Sequence, residues 1–158
     1  IFTAYQNPRI AQALDLEDTF PLIGYRAVAK NLELAADNAE DIADIALEAE
    51  GHTLNVDTQT MGRIRDMTDN VDDISERAVR AAVQRDYPAA IDVRSQFREI
   101  HDVESNLLEE LEEMPNRDLL AIREVLVGLQ DTAQYAVRNA EIATNLALNE
   151  QSEHLTIE

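Results

Sequence analysis

The 158-residue chain contains no cysteine, which excludes disulfides, thiolate metal sites and cysteine nucleophiles. It has only four glycines and four prolines, and its clear interruptions fall near Phe20-Pro21, Gly51-His52, Tyr87-Pro88 and Met114-Pro115. Breaks this far apart punctuate long segments, as in an all-α protein. No segment sustains strand alternation. No apolar run approaches the roughly 18 to 20 residues that a membrane span needs, and the opening IFTAYQNPRI lacks the charged and apolar regions of a signal peptide. The expectation is a soluble, cytoplasmic protein, peripheral to a membrane only through a transporter partner. The chain opens at Ile1 without an initiator Met, which suggests a piece of a longer protein.

Basic residues are also scarce. Lys and Arg total 13, with Lys30 the single lysine, against 32 Asp plus Glu, giving a net charge of -19. Such a chain repels nucleic-acid phosphates and anionic lipid, since counterion release needs clustered cations. Direct nucleic-acid binding by this segment is therefore excluded from the expected functions. Arginine kept while lysine is nearly lost resembles the proteins of extreme halophiles. At about 1 M salt the Debye length is about 3 Å, so self-repulsion is screened.

What remains is helical periodicity. From Glu17 to Glu50, Val28, Leu32, Ala35, Ala39, Ile42 and Ala46 recur at steps of four and three, a packing seam widened by Ala36, Ala43 and Leu47. Gly51 stops this helix as a C′ residue. A second helix runs from Asp57, its N-cap, to Arg85, with Met61, Ile64, Met67, Val71, Ile74, Ala78 and Ala81 on its apolar face. Pro88 opens a third, reaching about Glu113, with Ile91, Val93, Phe97, Ile100, Val103, Leu107 and Leu111 inward. Asn116 caps a fourth that continues to about Glu150 through Leu119, Ile122, Leu126, Leu129, Ala133, Ala136, Ala140, Ala143 and Ala147. Residues 1–20 read as a short helix in PRIAQAL followed by a linker, 21–150 as one helical domain, and 151–158 as a frayed tail. Short connectors favour an antiparallel up-and-down bundle.

Two helices resemble each other. LELAADNAEDIAD from Leu32 and LQDTAQYAVRNAE from Leu129 keep Leu, Ala and an acidic last residue in register, as an internal duplication does. The first copy carries a stripe of like charge: Glu33, Asp37 and Asp41 lie at i, i+4 and i+8, with Glu40 and Asp44 adjoining. Like charges one turn apart cost about 0.2 to 0.5 kcal/mol each. Either the stripe is a solvated face beside the packing seam, or the carboxylates share a hard cation.

NLELAADNAEDIAD resembles the signature helix of the PhoU family of phosphate uptake regulators, roughly Leu-Glu-x-x-x-Asp-His-x-x-x-Ile-Ala-Glu. Glu33 and Asp37 match its acidic pair, Asn38 replaces the His, and Ile42, Ala43 and Asp44 match its end. RDYPAAIDVRSQFREIHDVESNLLEEL is similar to the family's stretch before its second signature, with Asp102 and Val103 at the matching places. The resemblance covers about Pro21 to Glu150. It implies an antiparallel long-helix bundle in which four of the family's six helices are visible, the first three-helix bundle lacking its leading two. In the second signature Gln130 and Gln134 stand in the places of the acidic pair, Tyr135 in that of His, and Arg138 adds a cation. An amide oxygen brings no charge to a metal, so this motif is degenerate. The metal ligands that the resemblance implies are Glu33 and Asp37, with Asp41 a local addition, for a divalent ion that is not a required cofactor.

Catalytic constellations are missing. Glu three residues before His occurs nowhere, so the di-iron bundle motif is absent. His101 reads as a solvated helix residue, and Ser75, Ser95 and Ser105 have no His-plus-acid arrangement. Gly128 reads as a close helix contact rather than part of a nucleotide loop. Asp69, Asp72 and Asp73 form a second acidic patch, and Glu109, Glu110, Glu112 and Glu113 a solubilising helix end. The expected function is a non-enzymatic, PhoU-like regulator that binds a phosphate ABC transporter or a sensor protein, as a homodimer. The alternatives are a helical accessory domain of a potassium channel or transport regulator, and a ligand-free signalling spacer. In archaeal relatives a PhoU region can follow an AbrB-type DNA-binding domain or accompany potassium-channel regulatory domains; neither is present in these residues.

Overall fold

The computed structural model describes residues 20–49, 56–111 and 116–156. Within them lie four helices and no strand: α1 (Phe20–Ala49), α2 (Thr58–Gln84), α3 (Tyr87–Glu110) and α4 (Asn116–Thr156). The expected PRIAQAL helix, its linker and the Gly51 stop fall outside the described residues. α4 runs on as helix through Thr156, where a frayed tail was expected; no Gly or Pro interrupts the stretch.

Local chemistry sets the ends. The Asp57 carboxylate accepts hydrogen bonds from the backbone N–H groups of Gln59 (2.8 Å) and Thr60 (2.9 Å) and from the Thr60 hydroxyl (2.7 Å). These bonds, led by the Thr60 hydroxyl, hold the Asp57 carboxyl below its usual range. The cap is therefore intact at neutral pH and is lost as the pH falls through that lowered value. At the corner between α2 and α3, Arg85 takes the left-handed conformation (φ 54°). The Asp86 N–H then reaches back to the Ala81 carbonyl at 2.9 Å, the closing bond of a Schellman-type end. Asp86 in turn caps α3 by accepting from the Ala89 N–H at 3.0 Å, with Pro88 in the first turn.

The corner also joins three helices. The Arg85 guanidinium lies 3.5 Å from Glu150 on α4. A hydrogen bond with Tyr25 on α1, ahead of the Glu150 charge, keeps it more firmly protonated than usual.

α4 packs against each of the other helices, α2 and α3 pack on each other, and α1 rests on α4 while only grazing α2. The result is a closed three-helix bundle, α2 to α4, with α1 laid along the other side of α4. Met67, Ile74, Val93, Leu107 and Leu126 are fully buried at its centre, all at positions the spacing assigns inward. Met61 and Ile91, assigned inward too, are exposed.

On α1 the buried face is not the expected seam. Val28 and Asn31 are buried, and Ala35, Asn38, Ile42 and Ile45 are half-buried. Leu32 and Leu47 are 44% and 62% exposed, and Ala36, Ala39, Ala43 and Ala46 are exposed with them. The reason is polar. A count of apolar spacing skips Asn31 and Asn38, yet both find partners on α4 and so turn inward. The Asn31 amide donates to Asn139 Oδ1 at 2.8 Å in a buried pair. The Asn38 amide reaches Thr132 Oγ1 at 3.3 Å and the Gly128 carbonyl at 3.4 Å.

Two glycines let the helices approach. A Cβ at Gly24 would lie 3.1 Å from Ile142 Cγ2 and 3.2 Å from Leu146 Cδ2, and one at Gly128 would lie 3.1 Å from Ile42 Cδ1. Gly128 is thus the close contact its sequence position suggests. Partners on α4 descend in number as those on α1 rise, so the two helices run antiparallel.

Replacing Asn139 with leucine leaves the Asn31 amide buried and unpaired, at an expected cost of about 1–3 kcal/mol. Urea unfolding measures it. Adding Asn31→Leu to Asn139→Leu should recover most of the loss, and a single variant as stable as the parent would show that the pair is not sealed from water.

Candidate functional site

The segments beginning at Leu32 and Leu129 meet across the α1–α4 contact, where Asn38 touches Thr132, and Ile42 abuts Gly128 just before the second segment. The likeness found in sequence is therefore also a contact in space. One copy is turned outward and the other inward.

In the outward copy, Glu33, Asp37, Glu40, Asp41 and Asp44 are all exposed. Glu33 pairs with Lys30 at 3.1 Å. Asn38, in the place of the family's His, points the other way, into the α4 contact. It does not join Glu33 and Asp37. Among the described residues no three His, Asp or Glu side chains converge as a metal site requires. Asp69, Asp72 and Asp73 are exposed on α2, with Asp73 3.3 Å from Arg77.

In the inward copy the Gln130 amide has structural work. Gln130 faces α3, its oxygen accepting from His101 Nδ1 at 2.9 Å and its nitrogen donating to the Glu104 carboxylate. His101 Nδ1 lies 3.4 Å from Glu104. His101 is thus not simply solvated: it is half of a small polar cluster around Glu104, which is 7% exposed. The hydrogen bonds satisfy a buried carboxylate that would otherwise be costly. Sequence held one signal for this cluster, the i, i+3 spacing of His101 and Glu104, but not the helix they face. Gln134 and Tyr135 are half-buried, and Arg138 stacks over the Tyr135 ring with 5.2 Å to its centroid.

Ser75 donates to the Val71 carbonyl at 2.7 Å, back-bonding within its own helix. An open groove of about 640 Å³ lies between the C-terminal half of α1 and the N-terminal half of α4, bordered by Asp41, Asp44 and Glu48. It joins part of the acidic stripe to Gly128, singled out as a close helix contact, and to Leu120, Glu124 and Val127, which sequence spacing did not single out. No helix among the described residues is long and apolar enough to cross a membrane. No protein-family model, curated protein or solved structure matches the chain.

Gln130→Glu puts a second carboxylate against buried Glu104 and removes its amide donor. The expected cost is about 1–3 kcal/mol at neutral pH. It should shrink as the pH falls and one acid of the pair takes a proton, since the folded state then binds more protons than the unfolded one. Thermal melts from pH 8 to pH 5 test the sign; a variant whose deficit grows on acidification would contradict it. For the outward copy, a calorimetric titration with Mg²⁺ or Ca²⁺ in molar KCl should give no saturable heat. Binding that Glu33→Gln with Asp37→Asn abolishes would instead make the stripe a metal site.

Proposed function

We propose that this chain is a PhoU-like regulatory domain that controls phosphate uptake by binding a phosphate transporter or its sensor, without catalysis. The observation that carries the reading is α1 itself. It bears the signature-like segment, lies outside the closed α2–α4 bundle, and leaves an apolar stripe of Leu32, Ala36, Ala39, Ala43 and Leu47 uncovered. Among the described residues, a three-helix bundle beside one further helix is compatible with the four-of-six helices that the resemblance implies.

The uncovered stripe also supports a homodimer. Alanine at four and three residue steps lets a second helix come close, and apolar surface of this kind is self-complementary across a two-fold axis. Facing copies bring like charges together, so association strengthens as salt screens them.

Two measurements test the reading. Expression in a cell stripped of its own phosphate-uptake regulator should restore repression of phosphate import under phosphate sufficiency. Unchanged phosphate import with altered potassium flux would move the assignment to a potassium-transport accessory domain. Sedimentation equilibrium should show a dimer in molar KCl that dissociates as salt is lowered, and Leu32→Glu with Leu47→Glu should leave a folded monomer. A parent that stays monomeric at all salt concentrations would remove the dimer.

A further inference from the structure

The groove between α1 and α4 presents a surface distinct from the alanine stripe. Its floor is apolar: Ile42 and Ile45 from α1, Leu120 and Val127 from α4. Leu120 and Val127, 58% and 44% exposed, are seven residues apart and share one face of α4. From Leu120 to Asp131 the wall is about three turns long, roughly 16 Å. The rim is acidic on both sides, with Asp41, Asp44 and Glu48 on α1 facing Glu124 and Asp131 on α4, and Arg123 is the only cation in the lining. None of the five carboxylates makes an ion pair with a described residue.

This pattern narrows the occupant. Carboxylates strung along two rims, with no three converging on one point among the described residues, suit several cations at helical spacing better than a single metal ion. An apolar floor between them suits an apolar ridge. Nucleic acid and anionic membrane are repelled, and a second copy of a chain with net charge -19 brings the wrong sign to the rims. We propose that the groove docks an amphipathic helix of a partner protein, its apolar ridge seated on Ile42, Ile45, Leu120 and Val127 and flanked by arginine or lysine that pair with the rims. Helix-in-groove recognition works through such i, i+3, i+4 and i+7 anchors, and opposite charge sets specificity and rate of encounter. The inference rests on the adaptor reading above and names the partner chemistry.

The test is fluorescence anisotropy with the full 158-residue chain and a labelled synthetic helix of about 18 residues, leucine at the anchor positions and arginine on both flanks. Two controls carry glutamate in place of arginine, or the same composition with the apolar order shuffled. The arginine helix should bind saturably, and each control about tenfold or more weaker, a difference of about 1.4 kcal/mol. Leu120→Ser with Val127→Ser, and separately Asp44→Asn with Asp131→Asn, should weaken it by a similar factor. All four side chains are exposed, and circular dichroism confirms that each variant folds. Added KCl should weaken binding without abolishing it.

No saturable binding, equal binding of the shuffled helix, or binding untouched by both variant pairs would overturn the proposal. So would groove variants that abolish self-association, since that would make the groove an interface between copies. Any of these outcomes alongside restored phosphate repression removes the groove while leaving the regulator reading standing.

Discussion

The rest of the structure depends on the close antiparallel contact between α1 and α4. Its centre is the buried amide pair Asn31 and Asn139, and its close approach comes from Gly24 and Gly128, which leave room for Leu146 and Ile42. A buried amide pair adds little net stability, but a shift in register strands both amides, so the pair specifies alignment more than it stabilises. Small residues and backbone acceptors let Asn38 reach the Gly128 carbonyl from the neighbouring helix. α1 is thus held on α4 by a partly polar contact to which Val28 and Ile42 add apolar packing, whereas α2, α3 and α4 supply nearly all of the buried apolar core.

That asymmetry leaves two surfaces of α1 open. Because only one face of α1 is used, two remain: the alanine stripe and the groove with carboxylate rims. On chemical grounds the two suit different partners, the first an apolar surface of close complementarity and the second the cationic amphipathic helix proposed for the groove. The second signature-like segment is consumed by the fold. Gln130 holds Glu104 and His101, and Arg138 covers Tyr135, so that copy is an internal strut while the first faces solvent.

Much of the architecture was legible in the sequence. Wide spacing between helix breakers marked four long helices, Asp57 stood out as a cap, and the heptad steps in α2 and α4 picked residues that are buried. Gly128 was legible as a close contact because a mid-helix glycine needs a packing reason. The α1 face was not, since apolar periodicity counts leucine and alanine and skips asparagine. Once Asn31 and Asn38 find partners in α4, the helix turns and Leu32 is left outside. The Glu104 cluster and the groove were also hidden, as each is made by two helices whose mutual rotation no single-helix pattern carries. Arg85 in the left-handed conformation is a further case, because its place is set by the tight corner before Asp86 and by partners on α1 and α4.

The central claim is that α1 is a separately held helix whose free faces do the binding. Native-state hydrogen exchange on the monomer, read helix by helix, tests it most directly. The account predicts that α1 amides exchange through an opening of lower free energy than those of α2, α3 and α4, and that Asn139→Leu lowers α1 protection further while sparing Met67, Leu107 and Leu126. Protection equal in all four helices, falling together in the variant, would contradict it and make the chain one cooperative four-helix unit.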